Sequence, residues 1–143
     1  NSSGGSQAEA PLPAGKDGKM VHAIGTDIVD LDRFASAVER WGDHFLGRIL
    51  TPDEIAYCRR KASGIESMAA RFAAKEALIK CLSEEEYRHF RWHDVRVENA
   101  ANGKPRLVLS GSLARILPDL QILLTLSHSR LSAVAVVILQ SRP

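Results

Sequence analysis

Two carboxylates from distant parts of the chain, and a group of cations near one of them, are the residues here that could do chemistry. Asp27 closes an extended run, Val21 to Val29, one face of which carries Val21, Ala23, Gly25 and Asp27, because successive side chains of a strand alternate between faces. Glu76 lies in Met68 to Lys80, a stretch with apolar residues on nearly every side and four charges: Arg71, Lys75, Glu76 and Lys80. A helix that is apolar all round belongs in an interior, where an unpaired charge costs several kcal/mol, so each of the four needs a partner. At about 100° per residue, Glu76 and Lys80 share a side with Ala69 and Ala73, while Met68, Phe72 and Ile79 form a bulky stripe beside Lys75. The alanines leave room for a ligand beside the charges. The plain alternative is a packed helix with an internal Glu76–Lys80 pair at i,i+4.

A fold that brings Asp27 to Glu76 would suit magnesium. That ion takes oxygen ligands at about 2.0–2.1 Å, commonly one or two carboxylates, and leaves its other positions to water and phosphate oxygens. Lys75, Lys80 and Arg71 would then be placed for the phosphates. Without a cation, two close carboxylates force one of their pKa values up, so metal plus polyphosphate balances such a cluster better. Other chemistries lack their residues. There is no Gly-rich phosphate loop ending in Lys-Ser or Lys-Thr and no Gly-x-Ser-x-Gly elbow. Beyond His89 and His93, a pair in a loop that reads as chance, no Cys or His spacing suits zinc.

The elements that must position these groups read as follows. Asp30 is placed to cap a helix in which Leu31, Phe34, Ala35 and Val38 recur at helical spacing, ending near Trp41-Gly42. Thr51 as N-cap, Pro52 at N1 and Glu54 at N3 make a capping box, with Leu50 and Ile55 as its hydrophobic staple. The charged helix follows, from about Ile65 to Leu82, and then an acidic and aromatic loop. Val95 to Glu98 and Arg106 to Leu109 form a hairpin around Asn102-Gly103, a pair that favours the positive φ angles of a tight turn, with Pro105 at a strand start. A short helix over Leu113 to Leu117 precedes a last strand pair, Gln121 to Ser127 and Ala133 to Gln140. One strand, three helices and then hairpin-linked strands predict an α+β fold with an antiparallel sheet packed against helices.

With 143 residues, 45% of them hydrophobic, the chain can bury a core of its own. Asn1 to Lys19, rich in Gly, Ser, Ala and Pro, reads as a flexible linker or a remnant of cloning, and residues 20–143 as one domain. A net charge of +2 is too small for a dedicated nucleic-acid binder, and the cluster Arg59-Arg60-Lys61 reads as a solvated helix end. With no disulfide framework, no bilayer-length apolar run and no signal-peptide pattern, a soluble cytoplasmic protein without membrane contacts is expected.

Several segments closely resemble the holo-acyl-carrier-protein synthases, members of the 4'-phosphopantetheinyl transferase family. They are Ile24-Gly25-Thr26-Asp27-Ile28-Val29 with Arg33 following, Arg48-Ile49-Leu50-Thr51-Pro52-Asp53-Glu54, and Arg71-Phe72-Ala73-Ala74-Lys75-Glu76-Ala77. Asn102-Gly103-Lys104-Pro105 and Leu126-Ser127-His128-Ser129 add to the match, and the segments fall in order over the whole of the expected domain.

The resemblance implies the transferase fold and transfer of 4'-phosphopantetheine from coenzyme A to a serine of an apo acyl carrier protein, releasing adenosine 3',5'-bisphosphate, with magnesium as cofactor. It implies that Asp27 and Glu76 hold the metal and that Lys80 stabilises charge as the bond breaks. Arg71, Lys75 and His128 would hold coenzyme A. On its own, His128 reads as a polar residue closing a hairpin. Arg33 and Arg40 would dock the acidic carrier, and the family's habit implies a homotrimer with sites between subunits. The general base is left between Glu76 and Asp30. The chain departs from the family after Lys80, where Cys81-Leu82-Ser83-Glu84-Glu85-Glu86 replaces a flexible Gly-containing turn, and three glutamates near phosphates would repel them. A noncatalytic module that binds coenzyme A or a carrier protein is the alternative to the enzyme.

Overall fold

The computed structural model describes residues 20–117 and 119–142; the expected linker, Asn1 to Lys19, lies outside them. Eleven elements follow in order, namely β1 (Val21–Asp30), α1 (Leu31–Ile49), α2 (Pro52–Arg59), α3 (Gly64–Ile79), α4 (Glu84–Tyr87), a 3₁₀ turn (Trp92–Asp94), β2 (Val95–Asn99), β3 (Pro105–Leu109), α5 (Gly111–Ile116), β4 (Leu120–His128) and β5 (Ser132–Ser141). Two antiparallel sheets result, a three-stranded one ordered β1-β5-β4 and the β2-β3 hairpin. The α+β architecture expected from the sequence is the one observed.

The three-stranded sheet presents small inward residues to α3. Asp27 pairs with Ala135 and Gly25 with Val137 across β1 and β5, while Leu126 and His128 of β4 pair with Ala135 and Ala133. The inward Ala133, Ala135 and Val137 of β5 and the α3 residues Ala69, Ala73, Ala74, Ala77 and Leu78 are all fully enclosed. Alanine against alanine lets helix and sheet approach closely. At Gly25 the approach is at its limit: a Cβ there would lie 2.1 Å from the Ala77 carbonyl oxygen and 3.0 Å from Cys81 Sγ.

Local signals explain the helix starts. The Asp30 carboxylate accepts from Arg33 N (2.9 Å) and starts α1. Thr51 and Glu54 form the reciprocal capping box of α2. The helix expected to stop near Trp41-Gly42 does break there, since Gly42 adopts φ +55°, ψ −138°, but the chain re-enters helix and continues to Ile49. Gly42 supplies a backbone conformation that a side chain would resist, and the second helical piece buries Leu46 and Ile49. The acidic stretch expected as loop is the one-turn α4, capped by Ser83. The hairpin forms as expected, though its loop is wider than a two-residue turn: Asn99 pairs with Pro105, and positive φ is confined to Gly103 (+85°).

Because β1 has no slack against α3, Gly25→Ala is expected to lower stability by about 1–3 kcal/mol or more, the usual penalty of overpacking. A urea unfolding midpoint equal to that of the parent would refute the close contact.

Candidate active site

The Gly25–Ala77 contact sets Asp27, two residues further along the same face of β1, beside Glu76. Lys80 reaches across to β1, donating from Nζ to the Thr26 carbonyl oxygen (2.8 Å) and to Asp27 Oδ1 (3.2 Å). The internal Glu76–Lys80 pair is thus replaced by a bridge between elements. Asp27 is 17% exposed and Lys80 54%, so the cation lies at the mouth and the carboxylate within. Burial, and then the negative charge of Asp27, raise the Glu76 carboxyl above its ordinary value, with Lys80 opposing them. Such a pair suits a hard cation, since both donors are carboxylate oxygens and their mutual repulsion would be relieved by positive charge. Among the described residues no third His, Cys, Asp or Glu side chain joins them in a metal-binding group. Two carboxylates are sufficient for an ion that completes its shell with water and phosphate oxygens.

Lys75 does not belong to this site, a correction to its expected contact with coenzyme A. Its side chain is 0% exposed. Nζ donates to Glu54 Oε1 (2.7 Å) and to the carbonyl oxygens of Ile49 (2.7 Å) and Trp92 (3.1 Å), which uses all three of its protons. Adjacent positions on a helix face different ways, and the one beside Glu76 faces the core.

Arg71 and His128 do come together, lining a cleft of about 200 Å³ with Lys61, Tyr57, Ser67 and Asn99. Arg71 donates to Ser67 Oγ and to Asn99 Oδ1, both at 2.9 Å, and its guanidinium stands 4.6 Å from the Tyr57 ring centroid. Its Nε is buried without a partner among the described residues. Lys61 sits 4.8 Å from the Tyr57 centroid, so part of the basic cluster expected as solvated surface faces this cleft. Lys61 stands four positions after Tyr57, two residues past the end of α2, and that spacing was the available signal. This cationic cleft and the carboxylate pair stand at opposite edges of the three-stranded sheet, His128 on β4 and Asp27 on β1 with β5 between.

A second cleft, of about 350 Å³, opens beside Asp27, with Asp30 and Arg33 at its polar side and Phe34, Phe45 and Phe72 on its apolar side. Arg40 lies two turns beyond Arg33 on α1, its guanidinium 4.9 Å from the ring centroid of Trp41, which is 55% exposed.

The family model described as the 4'-phosphopantetheinyl transferase superfamily matches residues 23–135. The chain belongs to this superfamily. A holo-[acyl-carrier-protein] synthase of Koribacter versatilis is 43% identical over 124 residues, spanning 85% of this chain and 99% of that one. A holo-[acyl-carrier-protein] synthase structure from Neisseria meningitidis aligns with a TM-score of 0.74 at 29% identity, covering 84% of this chain and 98% of that chain. The Bacillus anthracis holo-(acyl-carrier-protein) synthase in complex with CoA (3',5'-ADP) aligns with a TM-score of 0.68 at 32% identity, covering 85% and 97%.

Within this transferase fold, the Glu84–Glu86 segment is organised locally. Glu86 Oε1 accepts from Ser83 N (2.8 Å) and Ser83 Oγ from Glu86 N (3.1 Å), so Glu86 is occupied with its own helix start, where acidic side chains are electrostatically favoured. His89 and His93 are similarly engaged, at Ser112 Oγ and the Gly47 carbonyl oxygen.

The raised Glu76 carboxyl has a consequence for stability. The folded transferase holds that proton more tightly than the unfolded chain, so Glu76 ionisation opposes folding as pH rises above the ordinary value of 4.5. In chelator-treated protein, Glu76→Gln is therefore expected to raise the melting temperature at pH 7. The gain shrinks to nothing below the ordinary carboxylate range, where both states are protonated. A gain that persists unchanged in acid would contradict this origin.

Proposed function

We infer that the chain transfers the 4'-phosphopantetheine group of coenzyme A to a serine of an apo acyl carrier protein and releases adenosine 3',5'-bisphosphate, activating a fatty acid or related synthase. The observation that carries this reading is the Asp27–Glu76–Lys80 constellation, brought close by the Gly25–Ala77 contact, in a chain that matches holo-acyl-carrier-protein synthases over nearly their whole length.

The serine oxygen attacks the phosphorus that carries the pantetheine arm, and the bond from that phosphorus to the bridging oxygen breaks, leaving with the adenosine bisphosphate. Such transfers depend on positioning and on neutralising phosphoryl charge. Asp27 and Glu76 would hold a magnesium ion, which supplies part of that neutralisation at the diphosphate. Lys80, exposed at the mouth, places its ammonium where charge builds on the leaving oxygen. The serine proton passes to a carboxylate. Glu76 is the first candidate, directly or through a water, and Asp30 is the second, with one oxygen already engaged by Arg33 N. Arg71 and His128 hold coenzyme A through its phosphates. Arg33 and Arg40 dock the acidic carrier in a salt-sensitive encounter.

Two observations support a homotrimer with sites between subunits. The outer face of the sheet is apolar and open, with Ile24 65% and Ile28 67% exposed and Val136 and Ile138 between them and β4. The carboxylates and the Arg71–His128 cleft also stand at opposite edges of one protomer, which neighbouring copies could bring together. A reducing, cytoplasmic location accords with Cys58 and Cys81 both being free thiols.

Mass spectrometry tests the transfer. With coenzyme A, magnesium and an apo carrier the chain adds one phosphopantetheinyl group, and no mass shift on any of several carriers would refute the assignment. Glu76→Gln abolishes transfer while remaining folded. Mixing Glu76→Gln with His128→Ala restores part of the lost activity if sites are shared between subunits; a mixture as inactive as its components would place each site within one chain.

A further inference from the structure

We propose that Lys75 and Glu54 are positioning residues for the transfer, their buried ion pair fixing the rotation of α3 about its axis and so the direction in which Glu76 faces Asp27. The inference rests on the transfer reading given above.

Lys75 and Glu76 are consecutive, so their side chains leave the helix about 100° apart and any rotation that moves one moves the other. The Lys75 ammonium is anchored at three points on three segments: Glu54 Oε1 on α2, the Ile49 carbonyl oxygen at the end of α1, and the Trp92 carbonyl oxygen in the 3₁₀ turn. Glu54 is itself immobilised. Its Oε1 also accepts from Thr51 N and its Oε2 from Val97 N, both at 2.9 Å. Trp92 grips the same helix a second time, its ring stacked on Phe72 with centroids 5.7 Å apart and planes 17° apart.

Among the described residues, no buried ion pair holds the side of α3 that faces β1. The Gly25–Ala77 contact sets how close α3 lies to β1, but as a contact between backbones it does little to resist a turn of the helix. The Lys80–Asp27 bridge is half exposed at its cation, and exposed bridges are weak constraints. Rotation is thus set from the side facing away from the substrate. A misplacement of about 1 Å at a reacting group can lower the rate about a hundredfold, so an anchor one residue from Glu76 bears directly on the rate.

Lys75→Met and Glu54→Gln are the variants to make, the second keeping the shape of the side chain while removing its charge. Each is assayed well below its own unfolding midpoint, with circular dichroism establishing that it is folded. The expected result is a fall in kcat on the order of ten- to a hundredfold, while KM for coenzyme A and its calorimetric Kd in the absence of metal stay within about twofold of the parent, since no ligand contact is lost. A role in stability alone would lower the midpoint and leave kcat of the folded variant unchanged; that result overturns the proposal. A role for Lys75 in holding coenzyme A would raise KM and Kd with kcat preserved, and that also overturns it. If Lys75→Met does not fold, Glu54→Gln decides by the same criteria. The parent chain assayed alongside separates the two levels. No transfer by the parent removes the transfer reading and this proposal with it, whereas normal parental transfer with unimpaired variants removes only the positioning role.

Discussion

The ion pair between Lys75 and Glu54 is the interaction on which the arrangement depends. Each group alone in the interior would carry an effective penalty of several kcal/mol, and removing one partner from such a pair costs about 3–5 kcal/mol. Burial lowers the proton affinity of the Lys75 ammonium, and the Glu54 charge opposes that shift. The pair is tolerable because nothing in it is left unmade: three acceptors surround the ammonium and three N–H donors the carboxylate. Among the described residues, the β2-β3 hairpin shares no ladder with the three-stranded sheet. Its attachment to the helices runs in part through this network, by Val97 N to Glu54, and in part through Asn99 to Arg71.

From that anchor, α3 distributes its remaining charges. Lys75 turns inward, Glu76 and Lys80 turn toward β1, and Arg71 turns toward the cleft that reaches β4. Alanines at 69, 73, 74 and 77 make this possible, because a helix lying so close to a sheet has no room for longer side chains on the contact face. The same closeness requires glycine at position 25, where the Ala77 carbonyl leaves no space for a Cβ. Packing and chemistry are therefore set by one surface, with the small residues that bring the backbones together also bringing the two carboxylates together.

How much of this was legible in the sequence depended on how local each cause was. The capping box Thr51–Glu54, the Ala23-Gly25-Asp27 face of β1 and the last strand pair are written within a few residues and form as read, whereas Val21 leaves that face at a register shift. Glu54's larger role was not legible, since its partners Lys75 and Val97 lie 21 and 43 residues away. The Ser83–Glu86 capping box was available but obscured by three consecutive glutamates that suggested a loop. Gly42 correctly marked a break, but the local signal could not say that Phe45, Leu46 and Ile49 would draw the chain back into helix by packing. Lys75 was misassigned because membership in a charged motif says nothing about which way each charge points. Lys61 was missed because solvated helix ends commonly look the same.

The charges divide the chain into unlike halves. One edge of the sheet gathers Asp27, Asp30 and Glu76, answered by Lys80 and Arg33. The other gathers Arg71, Lys61 and His128. Within one copy neither half is balanced, as the raised Glu76 carboxyl and the unpartnered Arg71 Nε each register. A ligand that carries several phosphates has charge for the cationic half and, through a bound cation, for the acidic half as well. The fold thus keeps a fully satisfied polar network around Lys75 and Glu54 and leaves Glu76 and Arg71 Nε incompletely compensated at the two edges.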